Sequence, residues 1–444
     1  MIRYIVALTL VLGCFSCQLG KNFQRPEVDL PLSFNNPDSI VSYGSGMFND
    51  TLLTSLIDRA LTHNFDMRIA YSKIREMAEQ RKVSRSELFP QIDVRVGGEK
   101  KTGHSAGTPK LFARGEVSWE LDFWGNIRWQ DEAALAAYMQ TVEAANVVRL
   151  LLISDVARTY YELLALREEA AIVSQTLEIR KESVRLSKLR FEGGLTSETS
   201  YKQSLVEMAR TKTYLPELEK KIALKKSELA FLIGEYRFDL PDIEIDSLQR
   251  PFFIEIPVGL PSTLLERRPD IRQSEQALRK ASAMVNVRYT DRFPRFSLTG
   301  QYGLTSGSLK DFLSIPTSLI SGGILTPVFD MGKNKAEQAA AQAVYEQAEL
   351  SYRESVMAAF QEVDDALVSV RKAGEITESQ QQLVETAIDY LQLANLQYLN
   401  GVVKYLDVLD AQRQLFDARI ALNRAVLDEH LCLIQLYKAL GGDS

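Results

Sequence analysis

Two different periods of hydrophobic residues alternate along the first half of the chain. Apolar residues recur every three or four positions over residues 50–87, 126–191 and 197–233, which is typical of amphipathic helices. Between the first two of these segments, every second residue is apolar from Ile92 to Val96 and again from Ala113 to Phe123. This alternation predicts a β-hairpin over residues 91–123, flanked by one helix before it and a pair of helices after it.

The same order of elements recurs in the second half. The pattern predicts a helix over residues 261–290, a β-hairpin over residues 295–329 with a weaker last strand between residues 319 and 329, and helices over residues 334–398 and from about 402 to 440. The dipeptides Phe89-Pro90 and Phe293-Pro294 match at an offset of about 204 residues. The chain is therefore predicted to contain an internal two-fold repeat, residues 47–234 and 261–444, joined by an irregular connector over residues 235–260.

The four predicted strands are each about ten residues long, with one apolar and one polar face, as expected when one face meets lipid and the other a wet lumen. Aromatic residues stand beside the strand ends on the helix side, which suits an interfacial girdle. These residues are Trp119, Trp124, Phe89, Phe293 and Phe329, with Trp129 completing a cluster of tryptophans. The alternative is a soluble four-stranded sheet with tryptophans in its core.

Four strands cannot close a barrel, and an open edge cannot face lipid because its backbone groups would lack partners. Two copies of the chain would supply eight strands and three would supply twelve, and only the larger barrel leaves a lumen. The last helix carries two apolar seams with a period near 3.5, which indicates neighbours on both sides, as in the wall of a helical tube. A solid helical bundle is the alternative interpretation.

Composition and charge exclude several classes of protein. The chain is 45% hydrophobic and 25% charged, with a formal net charge of −6, and its basic residues are interspersed with acidic ones, so nucleic-acid binding is not expected. The three histidines, His63, His104 and His430, are far apart, and no phosphate-binding glycine loop is present. No enzymatic activity, metal site or cofactor is therefore predicted.

The N-terminus has the pattern of an export signal. A short apolar run follows Arg3 and leads to Cys14 and Cys17, each preceded by small residues, as in bacterial lipoprotein signals. Residues 1–16 are predicted to be a signal peptide and residues 17–46 an extended arm. The residues next to Cys14 fit a lipidation site slightly better than those next to Cys17, so the acylated position stays open on local grounds.

A chain reversal at Asn400-Gly401 separates the last two helices. After it, Asp407 and Asp410 are three residues apart and so share a helix face near the helix start. The corresponding turn of the first half has Ser200 and Gln203 at these positions. Carboxylates here either stabilise the positive end of a new helix or serve a function of the second half alone.

Several segments together resemble one known family. They are residues 17–26, 64–67 (Asn-Phe-Asp-Met), 259–262, 267–271 (Arg-Arg-Pro-Asp-Ile) and 409–412 (Leu-Asp-Ala-Gln). The chain is similar in these positions to the lipoprotein branch of the TolC-type outer-membrane efflux family, which includes OprM-like and NodT-like proteins. The resemblance implies a mixed α+β membrane protein, a homotrimer whose twelve-stranded barrel crosses the outer membrane of a Gram-negative bacterium and continues into a periplasmic barrel of long helical hairpins.

The resemblance also implies a function and its residues. The trimer would be the passive exit duct of a tripartite efflux system for small molecules such as drugs, docking with a periplasmic membrane-fusion adaptor and an inner-membrane pump of the RND type. Cys17 would carry the lipid in the outer membrane, and Asp407, Asp410 and Tyr398 would form a periplasmic gate. Val403 replaces an arginine of the family archetype, so a basic partner for the gate is not identified. The alternatives are a duct for secreted proteins and a non-conducting structural lipoprotein.

Overall fold

A computed structural model describes residues 18–27, 40–42, 50–99, 110–237, 256–257, 261–306 and 315–442. The predicted signal peptide, Cys17 and most of the predicted connector lie outside these residues. The strands are β1 Ile40–Ser42, β2 Gln91–Glu99, β3 Lys110–Leu121, β4 Ile256–Pro257, β5 Arg295–Ser306 and β6 Ile315–Leu325. The helices are α1 Thr51–His63, α2 Phe65–Ser86, α3 Asn126–Glu192, α4 Glu198–Leu232, α5 Pro261–Arg267, α6 Pro269–Thr290, α7 Lys333–Leu399 and α8 Tyr405–Ala439.

These elements form two compact units. Among the described residues, the sheet unit consists of 18–27, 71–99, 110–144, 270–306 and 315–355, and the helical unit of 40–42, 50–70, 145–237, 256–257, 261–269 and 356–442. The long helices α3 and α7, of 67 residues each, contribute to both units. None of the helices in the described ranges is long and apolar enough to cross a membrane.

The sheet has four antiparallel strands in the order β2-β3-β5-β6, so the two predicted hairpins lie side by side. Residue pairing runs without a register shift, for example Val94 with Gly115 and Gly115 with Tyr302. The predicted boundary of the last strand was wrong: β6 starts at Ile315 and ends at Leu325, which leaves Phe329 outside it. β6 begins with Ile-Pro-Thr-Ser and has Ser321-Gly322-Gly323 near its end, and these residues interrupt the alternation that the prediction relied on.

Two helices that were predicted as continuous are each divided by a short break. In the first half, Asn64 separates α1 from α2, and its Oδ1 accepts from the backbone N–H groups of Asp66 at 2.8 Å and Met67 at 3.2 Å. In the second half, Arg268 separates α5 from α6, and Pro269 opens the new helix. The breaks occupy matching positions of the two repeats, about 204 residues apart.

The helical unit is held by a core drawn from both repeats. Leu53, Leu56 and Met67 pack with Val156 and Leu163 of α3 in one buried cluster. The cluster extends to Leu229 of α4 and Ile434 of α8. In the same unit, Ile40–Ser42 and Ile256–Pro257 pair as a short antiparallel ladder, so the connector that was predicted to be irregular contributes one short strand.

Each pair of long helices reverses through a glycine turn. Gly194 has φ 70° and Gly401 has φ 75°, left-handed conformations that glycine adopts without steric cost. In each turn the next residue closes back on the helix end: Leu195 N–H donates to the Arg190 carbonyl at 2.8 Å, and Val402 N–H donates to the Gln397 carbonyl at 2.9 Å. The duplicated turn that the sequence predicts is therefore present in both halves.

Candidate functional site

The two faces of the sheet differ completely in charge. The register places the odd positions of β2, the even positions of β3 and the odd positions of β5 and β6 on the same face of the sheet. Every charged residue of these four strands occupies one of these positions. The charged face carries Asp93, Arg95, Glu99, Lys110, Arg114, Glu116, Glu120 and Arg295. The opposite face is apolar and exposed in the single chain, with Ile92, Val94 and Ile320 between 75% and 84% exposed.

On the charged face, like charges face each other across β2 and β3, and opposite charges meet on the diagonal. The register places Asp93 opposite Glu116 and Arg95 opposite Arg114, so like charges face each other directly. The diagonal contact compensates for this, since Arg95 Nε lies 3.4 Å from Glu116 Oε2. Arg114 lies over the ring of Phe112, 4.8 Å from its centroid. Arg95 and Arg114 therefore each have a partner on the same face of the sheet.

The aromatic residues predicted as a girdle surround the helix-side ends of the strands. The indole N–H of Trp119 donates to the Leu88 carbonyl at 3.1 Å, and that of Trp124 donates to the Pro294 carbonyl at 2.8 Å. Phe293 packs on Trp124 with ring centroids 5.1 Å apart. Phe89 and Phe329 have exposed rings, 59% and 85%.

Trp129 differs from the other two tryptophans. It is buried in a small cluster with Ala133, Ala283 and Val287, and its indole N–H donates to the Leu19 carbonyl at 2.7 Å. Trp129 is thus a core residue of the sheet unit and not part of an exposed aromatic layer.

The N-terminal segment, residues 18–27, is fastened along α3 and α6 of the same unit. Leu19 N–H donates to the Trp124 carbonyl at 3.1 Å, and Asn286 exchanges two hydrogen bonds with the backbone of Lys21, at 2.9 and 3.1 Å. Further along, Arg25 donates to Glu275 at 2.5 Å. Sequence reasoning missed these contacts, because a polar segment without periodicity gives no local signal of docking.

At the end of the α7–α8 hairpin, Asp407 supports the start of α8. Its Oδ2 accepts from the backbone N–H of Lys404 at 2.9 Å, while the Asp407 N–H donates to the Lys404 carbonyl at 3.1 Å. This carboxylate therefore satisfies a backbone group at the positive end of the helix. The side chain is exposed, and α8 begins at Tyr405, three residues later than the sequence predicted.

Asp410 has a different environment, because its two oxygens accept from side chains of the same helix. Arg413 Nη2 donates to Oδ1 at 2.5 Å, and Gln414 Nε2 donates to Oδ2 at 2.6 Å. Asp410 is 36% exposed and Arg413 is 55% exposed. Arg413 thus supplies a basic residue next to the acidic pair. The sequence did not indicate it, because the position considered for a basic partner was that of Val403.

Tyr398 joins the two hairpins of the helical unit. Its ring lies 5.3 Å from that of Tyr405, whose buried side chain has a pKa raised by desolvation. On its other side, the guanidinium of Arg190, from the end of α3, lies 4.8 Å from the Tyr398 centroid. The structure therefore brings Tyr398 and the start of α8 together, and it adds Arg190, which sequence reasoning missed.

Residues 56–235 and 260–442 match the outer membrane efflux protein family, one segment in each repeat. The chain belongs to this family.

Among its relatives, the cation efflux system protein CusC of Escherichia coli O6:H1 is 29% identical over 459 residues, covering 100% of this chain and 98% of CusC. The solvent efflux pump outer membrane protein SrpC of Pseudomonas putida is 31% identical over 460 residues, covering 98% and 96%. The open-state structure of the Neisseria gonorrhoeae outer membrane channel MtrE superposes with a TM-score of 0.88 at 27% identity, covering 96% and 98%.

Membership of the family confirms the predicted fold class and location. The chain has the fold of the trimeric outer-membrane efflux channels, is located in the outer membrane of a Gram-negative bacterium and extends into the periplasm. It acts as the outer-membrane channel of an efflux system. The relatives are named for different cargoes, cations in one and solvents in another, so the cargo varies within one fold.

Proposed function

We propose that three copies of this chain form a passive duct for small molecules, lined in its membrane part by the charged face of the sheet. The observation that carries this is the segregation of all strand charges to one face of a sheet whose edge strands, β2 and β6, have no partner within the described residues. A closed barrel of three sheets removes both edges and turns the apolar face to lipid.

The end of the α7–α8 hairpin is the proposed gate. Asp407 and Asp410 of three copies would converge near one axis, where carboxylates attract cations and repel one another. Arg413 moderates the charge of Asp410 within each copy, at 2.5 Å. Tyr398, which contacts Arg190 and Tyr405, would hold the second hairpin against the first.

We place the lipid anchor at Cys17. Gln18, the next residue, is docked beside Gly125: a Cβ on Gly125 would lie 2.6 Å from the Gln18 side chain. The backbone N–H of Leu19 donates a hydrogen bond to the carbonyl of Trp124, one of the residues of the predicted aromatic girdle. Acyl chains on Cys17 would therefore enter the membrane at the level of the proposed interfacial tryptophans. Three further residues would separate acyl chains on Cys14 from this level.

The partners follow from the efflux role. We propose that the trimer works with a periplasmic adaptor and an inner-membrane pump of the RND type, which supplies the energy and selects the cargo. In this proposal the chain has no catalytic role. The ion-paired carboxylates of the sheet unit, such as Glu337 and Asp291, stabilise the fold.

Planar bilayer recording tests the duct and its gate. Purified trimer should conduct at a low level, and Asp407→Asn with Asp410→Asn should raise the conductance, since asparagine keeps one acceptor oxygen and the shape of the side chain but removes the charge. The matched control is Ser200→Ala with Gln203→Ala, the corresponding positions of the first repeat, which should leave conductance unchanged. A trimer that never conducts would reject the duct, and equal conductance of the Asn variant and wild type would reject the gate.

A further inference from the structure

A cavity of about 410 Å³ lies in the sheet unit where three helices meet the start of β5. Its wall is formed by side chains of α2, α3 and α6, with Arg295 from β5. The volume is within the range of small-molecule sites, about 300 to 1,000 Å³. None of the residues of the proposed gate or of the predicted aromatic girdle lines this cavity.

Two observations indicate that the cavity lies on the lumen side of the proposed duct. Arg295 belongs to the charged face of the sheet, which is the lumen face in the proposed duct. The N-terminal segment that leads to the proposed lipid anchor packs on the other side of α6, against Glu275, Arg279 and Asn286. At about 100° per residue, these three residues lie on the side of α6 opposite the cavity residues Met284 and Arg288.

The cavity wall carries two guanidinium groups and one carboxylate. Asp291, its carboxylate, is only 10% exposed, and both oxygens are engaged: Oδ2 with Arg288 at 3.1 Å, and Oδ1 with Arg295 at 2.8 Å and with Asn126 at 3.1 Å. The side chains of Arg288 and Arg295 are 40% and 50% exposed, and each guanidinium group carries five N–H donors. Arg288 also lies 3.5 Å from Glu337, through the nitrogen that contacts Asp291.

The remaining wall is partly apolar and partly amide. Ala134, Met284 and Val287 supply the apolar surface, and the side chains of Gln80 and Gln130 supply further hydrogen-bonding groups. From this combination we infer that the cavity is a lumenal binding site for small organic anions with an apolar body. The guanidinium groups of Arg288 and Arg295 bind the anionic group through charge-assisted hydrogen bonds, and the apolar wall holds the body.

This inference rests on the proposed duct, because the site is useful to efflux only if it faces the lumen. Trimer in lipid nanodiscs, free of detergent, is titrated with naphthalenesulfonate by calorimetry, and with naphthalenemethanol and naphthylmethylammonium as neutral and cationic probes of the same shape. The sulfonate should bind more tightly than both other probes. Equal binding of the three probes, or no binding of the sulfonate, overturns the inference without any variant.

Variants then locate the site. Arg288→Gln and Arg295→Gln should each weaken sulfonate binding by about tenfold, the loss expected for one charge-assisted hydrogen bond. Arg292→Gln is the matched control, because Arg292 bonds Gln338 at 3.2 Å and lies outside the cavity wall. Ala134→Leu fills the cavity and leaves all charges in place, so it should also weaken binding if the arginine variants fold poorly.

Unchanged binding in all three cavity variants would overturn the inference. Bilayer conductance of the same preparations separates the two proposals, since a conducting trimer without sulfonate binding rejects only the site. A trimer that binds the sulfonate but does not conduct rejects the duct.

Discussion

At the scale of single residues, Glu275 is the side chain on which the N-terminal segment depends. It is 4% exposed and accepts from Arg25 at 2.5 Å and Arg279 at 3.0 Å. Glu275→Ala removes both contacts and should lower stability by about 2 kcal/mol, the range for hydrogen bonds to charged groups. Limited trypsin digestion followed by mass spectrometry should then show faster cleavage after Lys21, since the bond after Arg25 is protected by Pro26.

The control for this prediction is Glu79→Ala. Glu79 lies on α2 and makes an exposed ion pair with Lys82, one turn further along α2. Such pairs contribute little, so cleavage of the N-terminal segment should match that of wild type. Cleavage that is equally slow in the Glu275 variant would show that the segment is held by its backbone contacts alone.

Tyr161 gives the helical unit an alkaline limit. Burial, followed by the charge of Asp50, raises the pKa of Tyr161 from 10.0 to about 12. A raised pKa means that the folded state keeps the proton while the unfolded chain loses it, so stability is full below pH 10 and falls as the pH rises toward 12. Unfolding midpoints measured across this window should fall less steeply for Tyr161→Phe, which keeps the stacking on His430. Identical slopes would refute the assignment.

Residue-level prediction from sequence was uneven for a physical reason. The pairing of Asp407 with Asp410 on one face could be predicted, because helical spacing alone defines it. The contact of Arg190 with Tyr398 could not, since the two residues are about 200 positions apart in the chain and only the packed hairpins bring them together. Trp129 looked like its neighbours Trp119 and Trp124 because burial is not visible in composition.

At the scale of elements, the break between α1 and α2 depends on Asn64. Its Oδ1 caps α2, and its Nδ2 donates to the Leu232 carbonyl at the end of α4 at 3.0 Å. Asn64→Ser keeps a capping oxygen and loses the donor, whereas Asn64→Ala loses both. Thermal unfolding should rank wild type above Ser and Ser above Ala, with about 1 kcal/mol for the cap. An alanine variant as stable as wild type would mean that the break is set by packing alone.

The elements themselves were largely predictable, and the breaks between them were not. Alternation located the first three strands of the sheet, and the 3.6-residue period located α3 and α7 almost to their ends. Asn64 and Arg268 interrupt helices through partners far along the chain, the latter through the Ala439 carbonyl at 2.9 Å and Glu362 at 2.7 Å. The local signals were Pro269, directly after the second break, and Asn64 itself, a residue type that caps helix starts.

At the scale of the whole molecule, the repeat explains how a single chain supplies different functions at its ends. Both halves contribute a hairpin to the sheet and a glycine turn to the long helices. The acidic pair occurs in one half only, while Ser200 and Gln203 replace it in the other. Three copies therefore carry six hairpin ends but only three acidic ones, so the proposed gate has three-fold and not six-fold symmetry.

The sidedness of the sheet can be tested with two adjacent residues. Val94 is 77% exposed on the apolar face, and Asp93 lies on the charged face opposite Glu116. Val94→Lys places a charge toward lipid, which costs about 2 to 4 kcal/mol at the middle of a membrane. Asp93→Lys places the same charge in the lumen beside a carboxylate. Outer-membrane fractions should contain little trimer of the first variant and normal amounts of the second. Equal yields of the two would contradict a barrel whose lipid surface is the face of Val94.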